Sequence, residues 1–150
     1  TTSIIPAMTV NTMSARLKLS EGVTWVGESG SGHAIVIDGS PEIGGRNLGM
    51  RPMELILLGV GSCSAMDVML ILRKARQDVS DCCVEIQGTR AETIPQVFTA
   101  IHLHFIIEGR ELAERHVARA VQLSAEKYCS ASLMLQASVE ITHDFEIRPL

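Results

Sequence analysis

The sequence predicts an α+β domain built on antiparallel sheets, and three features of the chain carry that prediction. Short alternating segments open it, one long proline-free apolar run follows, and then strand-like and helix-like stretches alternate to the C-terminus. With 150 residues and 46% hydrophobic content the chain can bury a core of its own. Its mean hydropathy of +0.22 leaves apolar surface to spare for a partner subunit.

Residues 1–12, "TTSIIPAMTVNT", lack a period and contain Pro6, so they read as an extension, with a single domain over residues 13–150. "SARLKLSEGVTWVGES" alternates as a strand or bent strand pair, "GSGH" supplies turn residues, and "HAIVIDG" makes a short third strand. "SPEIGGRNLGMRP" is a glycine-rich loop that ends on Pro52, a residue suited to the first turn of a helix. From Pro52 to about Gln77 the leucine, methionine and alanine content predicts one long helix, apolar on nearly all faces. "CCVEIQGTRAET" and "FTAIHLHFIIEG" predict two long strands joined near Pro95. "RELAERHVARAVQLSAEKY" then places Leu112, Val117, Val121 and Leu123 near one stripe of an amphipathic helix, and "ASVEITHDFEI" alternates as a closing strand. The order is βββ, α, ββ, α, β.

Composition excludes several classes of function. A net charge of −4, 13 scattered Lys and Arg, and 3% aromatic residues argue against a nucleic-acid partner. The run from Met53 to Leu72 has the length of a membrane span, but Glu54, Asp67 and the following "RKARQD" favour a core helix over a membrane segment. Four cysteines without regular spacing, and no leader-like opening segment, predict a reducing, cytoplasmic setting.

The chemistry-bearing candidates are few. Cys63 lies in "LLGVGSCSAMD", where Gly59, Gly61, Ser62, Ser64 and Ala65 allow another element to approach and leave the sulfur accessible. Cys129 lies in "SAEKYCSASLML"; taken singly, either thiol reads more readily as a small buried hydrophobe than as a reactive group. Asp67 stands at i+4 on the helical face of Cys63, and opposes thiolate formation unless a cation arrives from outside this helix. Cys82 and Cys83 are neighbours in a strand, so they point to opposite faces and read as structural. His102 and His104 share a strand face as a solvated or hydrogen-bonded pair; with no third ligand at a recognisable spacing, no metal is predicted there. His33, His116 and His143 stand singly. "GVGSCS" lacks the third glycine and the lysine of a phosphate loop, and no bound cofactor is predicted.

Taken together and in this order, "RPMELILLGVGSCSAMDV" and "LSAEKYCSASLML" resemble the cysteine contexts of the OsmC/Ohr family, the osmotically inducible and organic hydroperoxide resistance proteins. The likeness runs from about Met13 to the C-terminus and is greatest to the YhfA-like branch. It implies an intertwined homodimer of OsmC-like fold, with central helices wrapped by antiparallel sheets and sites at the subunit interface. It also implies a two-cysteine thiol peroxidase reducing small organic hydroperoxides or hydrogen peroxide, in which Cys63 matches the peroxidatic cysteine and Cys129 the resolving one. An external dithiol of lipoyl type would restore the pair.

Two positions depart from the family pattern. Met53 stands where the family's peroxidases carry a glutamate after the helix-opening proline, and Gly30 where they carry a thiolate-stabilising arginine. Glu54, Arg51, Arg46 and Arg16 are the candidate substitutes, although Glu54 projects about 180° from Cys63 on an ideal helix. The alternative is a dimer of the same fold with weak or no peroxidase activity, which binds a small hydrophobic ligand or serves as a thiol sensor.

Overall fold

The computed structural model describes residues 11–150. Of the extension read over residues 1–12, all but the last two positions therefore lie outside the described residues. The chain divides into two units, one reaching Leu55 and one beginning at Ile56.

In the first unit β1 (Ala15–Glu21), β2 (Thr24–Ser29) and β3 (Ala34–Ile37) form an antiparallel meander. Gly22, at φ +58°, turns β1 into β2, a left-handed conformation that glycine adopts without steric cost. The register sets Leu17, Gly27 and Ile35 side by side, and likewise Leu19, Trp25 and Ile37. Because side chains alternate along a strand, these residues make one apolar face. Downstream, buried Asp38 gathers the glycine-rich loop by accepting backbone N–H groups from Gly39 at 2.8 Å and from Arg46 and Leu48 at 3.1 Å. Burial pushes this carboxyl up, but those backbone donors outweigh it and hold it below the usual carboxylate range.

The anchored loop delivers Pro52 to the start of α1 (Pro52–Lys74). There the Arg51 N–H donates to Glu54 Oε1 at 2.8 Å and the Leu55 N–H to the Arg51 carbonyl at 3.2 Å. A side chain reaching back from the third helical position in this way is the return half of a capping box. Glu54, a candidate site residue in the sequence, thus serves the helix start.

α1 continues into the second unit, where Val60, Ser64, Val68 and Leu72 are buried. Their spacing of four residues makes one stripe. The sheet of this unit has the order β4 (Asp78–Arg90), β5 (Phe98–Arg110), β6 (Glu140–Pro149). Ile101, Leu103, Phe105 and Ile107 on β5 are fully buried, as are Val117 and Ala120 of α2 (Glu114–Leu123). A Cβ at Gly61 would collide with Ile86 Cδ1 on β4, so glycine at that position lets the helix lie close to the sheet. By length and composition α1 could cross a membrane, yet its buried stripe makes it the core helix of this unit.

Two expectations are corrected. The closing strand β6 runs parallel to β5, whereas β4 and β5 pair antiparallel as expected. A crossover through helices returns the chain in its original direction, and the polar–apolar alternation of a strand is the same in either direction. The single helix expected up to Tyr128 is also divided: α2 ends at Leu123, a π-helical turn spans Ser124–Tyr128, and a short α3 covers Ser130–Leu135.

Candidate active site around Cys63 and Cys129

The second unit brings the two cysteines singled out in the sequence together. Cys63 sits on α1, one residue before the buried stripe position Ser64, and is partly buried. Cys129 is fully buried between the π-helical turn and α3. Both are free thiols, and their sulfurs and a carboxylate oxygen of Asp67 all lie within 4.8 Å of one another.

A small buried polar bracket holds this arrangement. Ser64 Oγ and Ser124 Oγ share a hydrogen bond at 2.9 Å, tying α1 to the π-helical turn. The Ser124 carbonyl in turn accepts the Cys129 N–H at 2.9 Å. Cys129 then caps α3, its sulfur accepting the Ser132 N–H at 3.4 Å. Burial pushes the Cys129 thiol above its ordinary value and neighbouring Cys63 pushes the same way, while the Ser132 hydroxyl and N–H pull against them without prevailing. The net effect favours the protonated form of Cys129.

Asp67 enters the site as its i+4 spacing predicts, and its Oδ2 is buried with no hydrogen-bond partner among the described residues. The small residues flanking Cys63 signalled the close approach of another element. Ser132 belongs to the small, polar "CSAS" context of Cys129, whereas Ser124 gave no such signal, because an isolated serine in a helical pattern reads as solvent-facing.

The other candidates lie elsewhere. Arg46 is engaged by Glu21 at 3.0 Å and Thr24 at 3.3 Å, Arg51 by the Gly49 carbonyl at 3.0 Å, and Arg16 pairs with Glu28 in the β1–β2 ladder. All of these partners belong to the first unit. Cys82 is partly buried and Cys83 exposed, as neighbours on opposite faces of a strand should be, and burial followed by Asp81 and Cys83 raises the Cys82 thiol. His102 and His104 form a hydrogen-bonded ladder with β6: His102 contacts Thr142 at 2.6 Å and Asp144 at 2.9 Å, and His104 contacts Asp144 at 2.6 Å and Glu146 at 3.2 Å.

Comparison with known proteins places this geometry in a lineage. The chain is 52% identical to Protein YhfA of Escherichia coli strain K12 over 135 residues, covering 90% of this chain and 98% of that protein. A hypothetical protein from Aquifex aeolicus has a crystal structure that matches with a TM-score of 0.82 at 31% identity, covering 94% of this chain and 99% of the other. An organic hydroperoxide resistance protein OsmC from Legionella pneumophila shares the fold, with a TM-score of 0.69 at 17% identity over 93% of this chain and 99% of that one. The model of the OsmC-like protein family matches residues 44–144, a span that includes both Cys63 and Cys129, and the chain belongs to the OsmC family.

Proposed function

We propose that the protein is a two-cysteine thiol peroxidase for small organic hydroperoxides or hydrogen peroxide, working in a reducing compartment such as the cytoplasm. The observation that carries this reading is the approach of the two free thiols, Cys63 and Cys129, to within 4.8 Å of each other. The fold family supports it, since a relative sharing the fold bears the name of an organic hydroperoxide resistance protein.

In the proposed cycle the Cys63 thiolate attacks the O–O bond; one oxygen stays on sulfur as a sulfenic acid and the other leaves, protonated, as the alcohol or water. The Cys129 thiol then condenses with the sulfenic acid, forming the S–S bond and releasing water. Closing that bond brings the sulfurs from within 4.8 Å of one another to about 2.05 Å. An external dithiol becomes a disulfide as it returns both cysteines to thiols.

Peptide mass mapping after one equivalent of an organic hydroperoxide tests the reading. The expected first product is the Cys63–Cys129 disulfide. With Cys129→Ser, a sulfenic acid on Cys63 should be trapped by dimedone, and with Cys63→Ser, Cys129 should stay unmodified. First oxidation at Cys82 or Cys83, or no disulfide at all, would remove the proposal.

A further inference from the structure

We infer that Cys63, Cys129 and Asp67 form a binding site for a soft divalent metal ion of the zinc type. This inference concerns the reduced protein and does not depend on peroxide turnover.

The three donor atoms already lie within 4.8 Å of one another. Around a tetrahedral zinc, with Zn–S near 2.3 Å and Zn–O of about 2.0–2.2 Å, ligand atoms sit roughly 3.6–3.8 Å apart. Rotamer adjustments on the order of an ångström would close the set. Asp67 Oδ2 supplies a second observation: it is buried and has no hydrogen-bond partner among the described residues. A buried carboxylate oxygen left unpaired is costly, and a cation between it and the two sulfurs satisfies it directly.

The donor set selects the ion. Two thiolates and one carboxylate suit zinc or cobalt(II), whereas calcium and magnesium require oxygen ligands. Three protein donors leave the fourth position of a tetrahedron to water. Coordination takes both sulfurs as thiolates, so binding releases two protons and strengthens as pH rises.

The ion also answers the electrostatic problem that Asp67 creates. A carboxylate beside two sulfurs disfavours thiolate until a positive charge stands between them. Metal binding and disulfide formation use the same sulfur lone pairs, so each excludes the other. A bound ion would shield the pair from oxidation, and peroxide that reached the thiols would release the ion.

The test uses the reduced, metal-free full chain with Zn²⁺ alone, titrated against a chromophoric chelator, and Co²⁺ alone, read by its thiolate charge-transfer absorption. Expected are one ion per chain and a thiolate–cobalt band. Cys63→Ser, Cys129→Ser and Asp67→Asn should each lower affinity by at least about tenfold. A Cys82→Ser/Cys83→Ser double variant and a His102→Gln/His104→Gln double variant should bind as the unmodified chain does. A second measurement needs no variant: Zn²⁺ should slow alkylation of Cys63 and Cys129, mapped by mass, and a chelator should restore it. The inference is overturned by absence of the band, by no protection, by binding that survives loss of either cysteine, or by Asp67→Asn leaving affinity unchanged. Because binding is read without peroxide, its failure is separate from failure of the peroxidase reading.

Discussion

At the scale of single residues, two histidines of one sheet titrate in opposite senses because they sit in opposite surroundings. His143 on β6 is half-buried, stacked on Phe105 with ring centroids 6.4 Å apart, and its buried Nε2 has no hydrogen-bond partner among the described residues. Burial, with a smaller push from His102, holds it below the usual imidazole value. His104 on β5 is raised, first by its hydrogen bond to Asp144 and then by that to Glu146, while partial burial pulls weakly the other way. The signs follow from proton linkage. For His143 the unfolded chain binds the extra proton, so stability is present above about pH 6.5 and falls as pH drops through the folded value. For His104 the folded chain binds it, so stability is present below about pH 6.5 and is lost as pH rises through the raised value. Urea midpoints measured against pH should therefore lose their acid limb in His143→Phe and their limb above neutrality in His104→Gln. A His104→Gln profile identical to that of the unmodified chain would show that the ladder with Asp144 and Glu146 contributes nothing in solution. The sequence revealed that His102 and His104 share a face. It could not reveal their acceptors, since Asp144 and Glu146 meet them only through the β5–β6 register.

At the scale of elements, the contact that seats Cys129 against α1 is the buried hydroxyl pair Ser64–Ser124. Replacing Ser124 orphans the Ser64 hydroxyl in a dry environment, a cost of about 1–3 kcal/mol, whereas a Ser124 hydroxyl that loses its Ser64 partner keeps the Ser64 carbonyl as acceptor at 3.3 Å. Ser124→Ala should lower stability by that amount and Ser64→Ala by less, and the double variant should lose clearly less than their sum. Denaturant melts in a double-mutant cycle check this, and strict additivity would mean the two hydroxyls do not depend on each other. The legibility of the elements follows the same physics. The order of strands and helices and the long α1 were readable because each depends on local periodicity and punctuation by Pro52 and Pro95, whereas the break between β1 and β2 at Gly22 left open one strand or a bent pair. The parallel direction of β6 was not, because direction belongs to the crossover and not to the strand. The π-helical turn was equally hidden, since "SAEKY" continues the helical pattern of α2 and only the seating of Ser124 and Cys129 distinguishes it. The buried stripe of α1 had no contrast either, because the helix is apolar on the faces it buries and on those it does not.

At the scale of the whole molecule, that lack of contrast becomes an argument about assembly. α1 buries Val60, Val68 and Leu72 but exposes Ile56, Leu58, Met66 and Leu70, with Met66 at 67% and Leu70 at 53%. In the first unit the apolar face of the meander is also uncovered, Leu17 standing 60% exposed and Ile35 48%. Scattered apolar residues on a surface need no explanation, but a helix face and a sheet face of contiguous apolar side chains mark an interaction surface. A soluble monomer would leave both in water at roughly 25 cal/mol per Å² of apolar area. The most economical cover is a second copy of the chain, because two-fold pairing buries the same faces on both partners at once. This agrees with the homodimer that the resemblance to the OsmC/Ohr family implies. Light scattering at micromolar concentration should accordingly return twice the chain mass of 16.3 kDa. Leu70→Glu or Met66→Glu, each placing a charge on the exposed face of α1 away from the buried stripe, should shift the equilibrium toward monomer and lower the melting temperature in a concentration-dependent way. A monomeric native protein, or glutamate variants that stay dimeric with unchanged melting, would show that these faces are covered by something other than a second chain.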